Sequence, residues 1–223
     1  IVLDEMNLAR IEYYFAEFLS LMEMPNKDDW KIELISTRVA GDPMKIDEGK
    51  ILIPQNAVFF GTANNDDSTF TISDKVYDRA ISLFFDNKGI PFECEPETSI
   101  QIPYSQLESL YATALEQYPV SQKLLDKFGQ LDNFVIEKFK IAFGNRILKQ
   151  LSTFVPIYVA CGGTEVDGFD FIFANKILKK FESLNLAFLK EELNELNTQL
   201  DKLFGKENFQ MAHKTINGFI KNN

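Results

Sequence analysis

The chain opens with a short apolar run, Ile1-Val2-Leu3, that stops at two adjacent carboxylates, Asp4 and Glu5. Leu8, Ile11, Phe15, Phe18 and Met22 then recur at spacings of three and four. That period predicts one amphipathic helix over 8–22, ended by Pro25 and Asn26. Ile32, Leu34 and Ile35 fit a strand or hairpin arm. The turn-forming clusters Gly41-Asp42-Pro43 and Asp47-Glu48-Gly49 make 38–53 a projecting hairpin or loop. Ala57-Val58-Phe59-Phe60 is a second apolar run, and it too ends in a polar loop, Gly61-Thr62-Ala63-Asn64 onward. A short helix is predicted over 71–80, begun near Ser73 or Asp74, and Ile81-Ser82-Leu83-Phe84-Phe85 reads as a third buried strand.

Beyond Pro91 the period is helical throughout. Segments 103–118, 121–128, 133–143, 145–160 and 167–181 are each expected as helices, with Gly129 and Gly144 as breaks and Gly162-Gly163 as a loop. Leu186, Leu189, Leu193, Leu196, Leu200 and Leu203 form an a/d seam, which packs either on its own domain or against a second chain. Gly205 ends it, and a last helix carries Ala212, Ile216 and Ile220. The expected fold class is therefore α/β over residues 1–90, a parallel sheet with flanking helices, followed by an all-α domain over 91–223.

Composition narrows the functional classes. With 45% apolar and 25% charged residues the chain has the balance of a globular protein. Its formal charge of −10 disfavours a broad nucleic-acid surface, because phosphate contacts need clustered Lys and Arg. Two cysteines, Cys94 and Cys161, and one histidine, His213, cannot build a disulfide framework or a Cys/His zinc site. The thiols are expected to be buried or inert, and His213 solvated or partly packed. No apolar run approaches the roughly 18 residues that span a bilayer, and no signal peptide is visible, so a cytoplasmic location without membrane contact is expected. The start on Ile1, inside an apparent core strand, reads as a fragment of a larger protein.

The candidate chemistry lies where the strands end. In α/β proteins the carboxyl ends of parallel strands carry the site. Asp4 and Glu5 end one strand and Asn64 ends another, while Arg79 lies at the end of the helix that follows. An acid for a metal ion, a base for water, an amide to orient that water and an arginine for developing charge suffice for phosphoryl transfer. An Asp-Glu pair after a strand also serves simply as a helix cap.

The order and spacing of these residues resemble the core of the AAA+ nucleotide hydrolases, most closely the branch typified by the methylation-dependent restriction motor McrB. Leu3-Asp4-Glu5-Met6-Asn7 with Phe15-Ala16-Glu17 looks like that branch's Walker B strand and helix. Phe60-Gly61-Thr62-Ala63-Asn64 is similar to its sensor-1 strand, and Ser73 to Ala80 to the helix that ends in arginines. Phe143-Gly144-Asn145-Arg146 resembles the lid segment bearing sensor 2. The resemblance implies that Asp4 associates with Mg²⁺, that Glu5 is the catalytic base and Asn64 the water- and phosphate-sensing amide. Arg79 would be an arginine finger and Arg146 a nucleotide contact. It implies hydrolysis of ATP or GTP in a hexameric ring, with a nuclease or regulatory partner. DNA would be met only indirectly or through other segments.

Three features depart from the pattern, the first being that the 73–80 helix has only Arg79, followed by Ala80, where the family has consecutive arginines. Leu8 stands where the family often has Arg, the nearest arginine being Arg10, which is expected on the exposed face of its helix. No Gly-Lys-Ser/Thr phosphate loop occurs in these 223 residues. The resemblance places that loop before Walker B, so 1–223 alone are expected to be inactive. It also places the strand that would accompany that loop between the sensor-1 strand and 81–85. The rival expectation is a non-catalytic AAA+-derived interaction scaffold, using the helical half and leucine seam; a direct DNA-binding module stands third.

Overall fold

The computed structural model describes residues 1–36, 41, 43–64, 68–85, 88–95 and 98–222. The chain divides into two compact units, Ile1–Ile81 and Ser82–Asn223.

In the first unit, strand β1 (Val2–Leu3) gives way at Glu5 to a 3-10 turn over Met6–Leu8. Helices α1 (Ile11–Tyr14) and α2 (Ala16–Leu21) follow. The single helix expected over 8–22 is thus broken, and Leu8 is exposed instead of lying on its buried face. The break falls at Phe15, whose backbone leaves the helical region (φ −122°, ψ −5°). Tyr13-Tyr14-Phe15 is a run of modest helix formers, so tertiary packing decides the local backbone. Phe15 stacks on Phe18 at 5.2 Å and meets Phe59 edge-on at 5.3 Å. Ile11, Phe15 and Leu19 form the buried stripe, joined by Val76 and lined by Leu3, Met6 and Ile72.

Strands β2 (Lys31–Glu33), β3 (Ile46–Asp47) and β4 (Lys50–Leu52) make an antiparallel sheet in the order β2-β4-β3. The β3–β4 hairpin falls within the expected 38–53 projection; Arg38 and Asp42 lie outside the described residues. Gly49 is required in this turn. Its φ is +79°, and a Cβ there would sit 2.0 Å from the Ile35 carbonyl oxygen.

Strand β5 (Phe60–Gly61) pairs with β1 in parallel, Val2 opposite Phe60 and Leu3 opposite Gly61. Helix α3 (Asp74–Tyr77) covers the middle of the predicted 71–80 helix. The third strand is not formed: 81–85 is irregular, and Leu83, Phe84 and Phe85 are exposed. Apolar, β-branched or aromatic residues alone do not make a strand. The backbone also needs a neighbour to complete its hydrogen bonds, and 81–85 has none among the described residues.

The second unit is helical: α4 (Tyr104–Gln117), α5 (Gln122–Phe139), α6 (Gly144–Ala160), α7 (Glu165–Ile172), α8 (Lys190–Phe204) and α9 (Gln210–Asn222). Gly129 does not break α5. Glycine costs a helix interior about 1 kcal/mol against alanine. Here five buried residues, Leu124, Phe128, Leu131, Val135 and Phe139, repeat across it, and their burial outweighs that cost. The start of α5 is fixed twice: Ser121 Oγ accepts the Leu124 N–H at 3.2 Å, and the Glu165 carboxylate accepts both the N–H and the hydroxyl of Ser121 at 2.7 Å. The expected 167–181 helix is α-helical only to Ile172, then widens to a π turn over Phe173–Ile177 and tightens to 3-10 over Leu178–Ser183. The leucine seam is internal: Leu193, Leu196 and Leu200 are fully enclosed in the core of their own unit. Cys94 and Cys161 are exposed, so of the expected burial or inertness the burial does not hold.

Asp170, on α7, is nearly enclosed, and its two carboxylate oxygens accept the N–H groups of Met211 and Ala212 at 2.9 Å each. It therefore caps the first turn of α9 from a distant part of the chain. Burial pushes its carboxyl pKa above the ordinary 3.8, against the opposing pull of the two N–H donors. A carboxyl whose pKa is raised on folding holds its proton in the native state at pH values where the unfolded chain has released it. Its contribution is thus fully present below about pH 3.8 and is lost as pH rises through the folded pKa. Asp170→Asn removes that titration. Measured by urea unfolding, the variant should gain on the wild type as pH is raised through this window, whatever constant offset the altered hydrogen bonds impose. A difference that stays level with pH would refute the raised pKa.

Candidate functional site

The parallel register of β1 and β5 brings the two polar strand ends side by side. Thr62 is the link. Its N–H donates to the Leu3 carbonyl at 3.0 Å and its carbonyl accepts the Met6 N–H at 2.8 Å, extending the pairing one residue past each strand. Its hydroxyl donates to Asp4 Oδ1 at 2.6 Å and accepts the Glu5 N–H at 2.8 Å. One side chain thus orients one acid and fixes the backbone of the other. That backbone is unusual: Glu5 has φ 50° and ψ 45°, a left-handed conformation that a non-glycine residue adopts at a cost of order 1–3 kcal/mol. Gly61 allows the turn to lie close, because a Cβ there would meet the Met6 sulfur at 2.0 Å.

Asn7 forms the second link, and it is buried, with 3% of its surface exposed. Its amide nitrogen donates to the Asn64 carbonyl at 2.7 Å, Thr69 Oγ1 at 2.9 Å and the Phe70 carbonyl at 3.2 Å. Its amide oxygen accepts the Asn64 N–H at 3.3 Å. The loop that leaves β5 is therefore clasped at both ends by one residue of the turn that leaves β1. Among the described residues, the Asn64 side-chain amide is exposed and has no hydrogen-bond partner; the clasp holds its backbone and leaves its amide group available. The Glu5 carboxylate is likewise exposed and unpaired among those residues.

Asp4, Glu5 and Asn64 are thus brought to one edge. Arg79 belongs to the same unit but not to this network: its Nε donates to Glu23 Oε2 at 2.8 Å and its guanidinium also donates to the Lys75 carbonyl. Partly exposed pairs of this kind are worth about 0–1 kcal/mol, so releasing Arg79 from Glu23 costs little. Arg146 stands on the exposed first turn of α6 in the other unit.

A magnesium ion bound to a nucleotide typically takes one or two protein carboxylates, the rest of its shell being water and phosphate oxygens. Asp4 fits that role. Thr62 occupies one side of Oδ1, and the exposed carboxylate keeps acceptor capacity on its other oxygen. Among the described residues no cluster of three or more His, Cys, Asp or Glu forms a self-sufficient metal site.

Asn7 and Thr62, which carry the connections of the site, had no role assigned by sequence reasoning. The available signal was a polar residue placed among apolar ones at the ends of two paired strands. Comparison with protein-family models, with curated proteins and with solved structures finds no match for this chain.

Proposed function

We propose that the chain is the Walker B-to-lid portion of a McrB-like AAA+ nucleoside triphosphatase, and that Asp4, Glu5 and Asn64 are its hydrolytic edge. The observation that carries this reading is the parallel, in-register pairing of the Asp-Glu strand with the Asn64 strand, cross-linked by Thr62 and Asn7. A helix cap requires no second strand end beside it.

When bound, Mg²⁺ neutralises charge on the phosphates of ATP or GTP. Asp4 holds that ion, directly or through water, with its carboxylate oriented by the Thr62 hydroxyl. Glu5 accepts a proton from the attacking water, and its left-handed backbone fixes where the carboxylate begins. The Asn64 amide orients that water or the terminal phosphate. Arg79, released from Glu23, serves a neighbouring subunit's nucleotide, and Arg146 supplies a lid contact. The assembly is a cytoplasmic hexameric ring that works with a nuclease or regulatory partner in restriction of foreign DNA. Among the described residues no helix is long and apolar enough to cross a membrane.

The test is Glu5→Gln in the full-length protein. Nucleotide binding and assembly should persist while turnover falls about 10²-fold or more, the usual loss when a positioned general base is removed. Undiminished turnover would eliminate the mechanism. The rival scaffold reading draws on the absence of a Gly-Lys-Ser/Thr loop from this sequence. Its proposed leucine surface is buried within the second unit, so it would rest on other exposed apolar residues there, among them Leu110, Tyr111 and Leu115 of α4. A full-length protein that binds neither ATP nor GTP would favour it.

A further inference from the structure

In the first unit, apart from the Asp4–Glu5 edge, Arg10, Glu12, Tyr13, Phe70, Ser73 and Lys75 line an open pocket of about 480 Å³. The Arg10 guanidinium lies 5.5 Å from the centre of the Phe70 ring and 6.0 Å from that of Tyr13. Cation–π contacts of this kind leave the guanidinium N–H groups for an acceptor. Neither Arg10 nor Lys75 has a carboxylate within ion-pair distance among the described residues. The one acid among the described residues that line the pocket, Glu12, is already engaged, accepting the Ser73 N–H at 3.3 Å. The polar groups of Ser73 beside it hold the Glu12 carboxyl below its ordinary pKa, so it is ionised at neutral pH. Among the described residues, two cations and one anion leave the lining at +1, in a chain of net charge −10. Tyr13 is 82% exposed and Phe70 45%, an arrangement that presents ring surface to solvent.

A surplus of one positive charge suits a ligand that brings about one negative charge per aromatic ring. A free triphosphate, with four charges on one group, exceeds it; an unstacked carboxylate makes no use of the rings. A nucleotide within a single strand brings one phosphodiester and one base. We infer that this pocket binds single-stranded nucleic acid, one phosphodiester on Arg10 and Lys75 with a neighbouring base stacked on Tyr13 or Phe70. Duplex DNA offers the same phosphates but withholds its base faces. The inference stands whether or not Asp4 and Glu5 hydrolyse nucleotide.

The test is fluorescence anisotropy of the chain with a labelled single-stranded oligonucleotide of about 12 residues. The comparisons are a duplex of equal length and a Glu-rich peptide of equal charge. Titrations run between about 100 and 300 mM salt, where the Debye length is about 10 Å or less and the overall charge of the chain is screened from the pocket. The single strand should bind with a log–log salt slope of about −0.7, one phosphodiester being neutralised. Tyr13→Ala removes an exposed ring and spares the core; it should weaken binding about fivefold or more. Lys75→Gln leaves the described lining neutral and should weaken binding and flatten its salt dependence, with circular dichroism unchanged for both variants. Three outcomes overturn the proposal: no binding of the single strand, equal binding of the duplex, or binding that neither substitution alters. Tighter binding of the Glu-rich peptide also overturns it, assigning the pocket to an acidic protein partner.

Discussion

Asn7→Ala should destabilise the first unit by about 2–4 kcal/mol, the larger of the effects expected there. The substitution removes little apolar surface. It does remove the partner of the Asn64 and Phe70 carbonyls and of the Asn64 N–H. Each buried polar group left unpaired costs about 1–3 kcal/mol, and the total is held down because Asn64 itself is exposed and water can reach part of the gap. Asn7→Asp should be worse than Ala. It would put an acceptor-only carboxylate against two carbonyl oxygens and a hydroxyl, where the amide now donates. Urea unfolding ranks the variants, and hydrogen exchange at Asn64 and Phe70 shows whether the loop is released. If Ala costs under about 1 kcal/mol, or Asp is the milder change, the clasp is not what holds the loop. On the proposed nucleotide-hydrolase reading, the same substitution should lower turnover more than nucleotide affinity, because it misplaces Asn64 without removing it.

Phe169→Ala should cost the second unit about 3–5 kcal/mol, the range for deleting a fully buried aromatic ring. Phe169 is at the centre of an aromatic cluster. Its ring meets Phe128 at 5.6 Å, Phe204 at 5.6 Å, Phe209 at 5.3 Å and Phe173 at 6.1 Å, and none of its surface is exposed. These partners come from α5, α8, the start of α9 and the π turn, so one cavity loosens several helix contacts at once. Phe169→Leu retains most of the volume and should cost less than half as much. Thermal unfolding followed by far-UV circular dichroism measures both. A loss near 1 kcal/mol for Ala would mean that the cluster collapses into the space, and that the ring geometry contributes little beyond apolar burial.

The helical unit was largely legible in the sequence, because its elements bury one face each and the period of burial is written in the residues. Leu124 to Phe139 and Leu193 to Phe204 are clear cases. The errors there are local. Gly129 carries a break signal of about 1 kcal/mol, and the burial of its neighbours exceeds it. The switch to π geometry at Phe173 has no period of its own, since it depends on how five consecutive buried residues meet the surrounding helices. The α/β unit was less legible. Its strands are two or three residues long, and whether an apolar run becomes a strand depends on what lies beside it. Ile1 to Leu3 found β5, while Ile81 to Phe85 found no partner among the described residues.

The candidate site divides in the same way. Sequence alone determined which residue types end each apolar run: Asp4 and Glu5 after the first, Asn64 after the second, with one arginine, Arg79, near the end of the following helix. It also determined the helical character of the second half. Only the tertiary structure decided that the Asp-Glu and Asn64 ends are neighbours, because parallel pairing joins segments 57 residues apart, as the Asn7–Asn64 bonds do. It also decided that Thr62 and Asn7, not the acids, hold the site together, that Arg79 rests on Glu23, and that the leucine seam faces inward. Hydrophobic period is a local property and can be read along the chain. A hydrogen bond between distant residues depends on where folding brings them, and no local pattern records that.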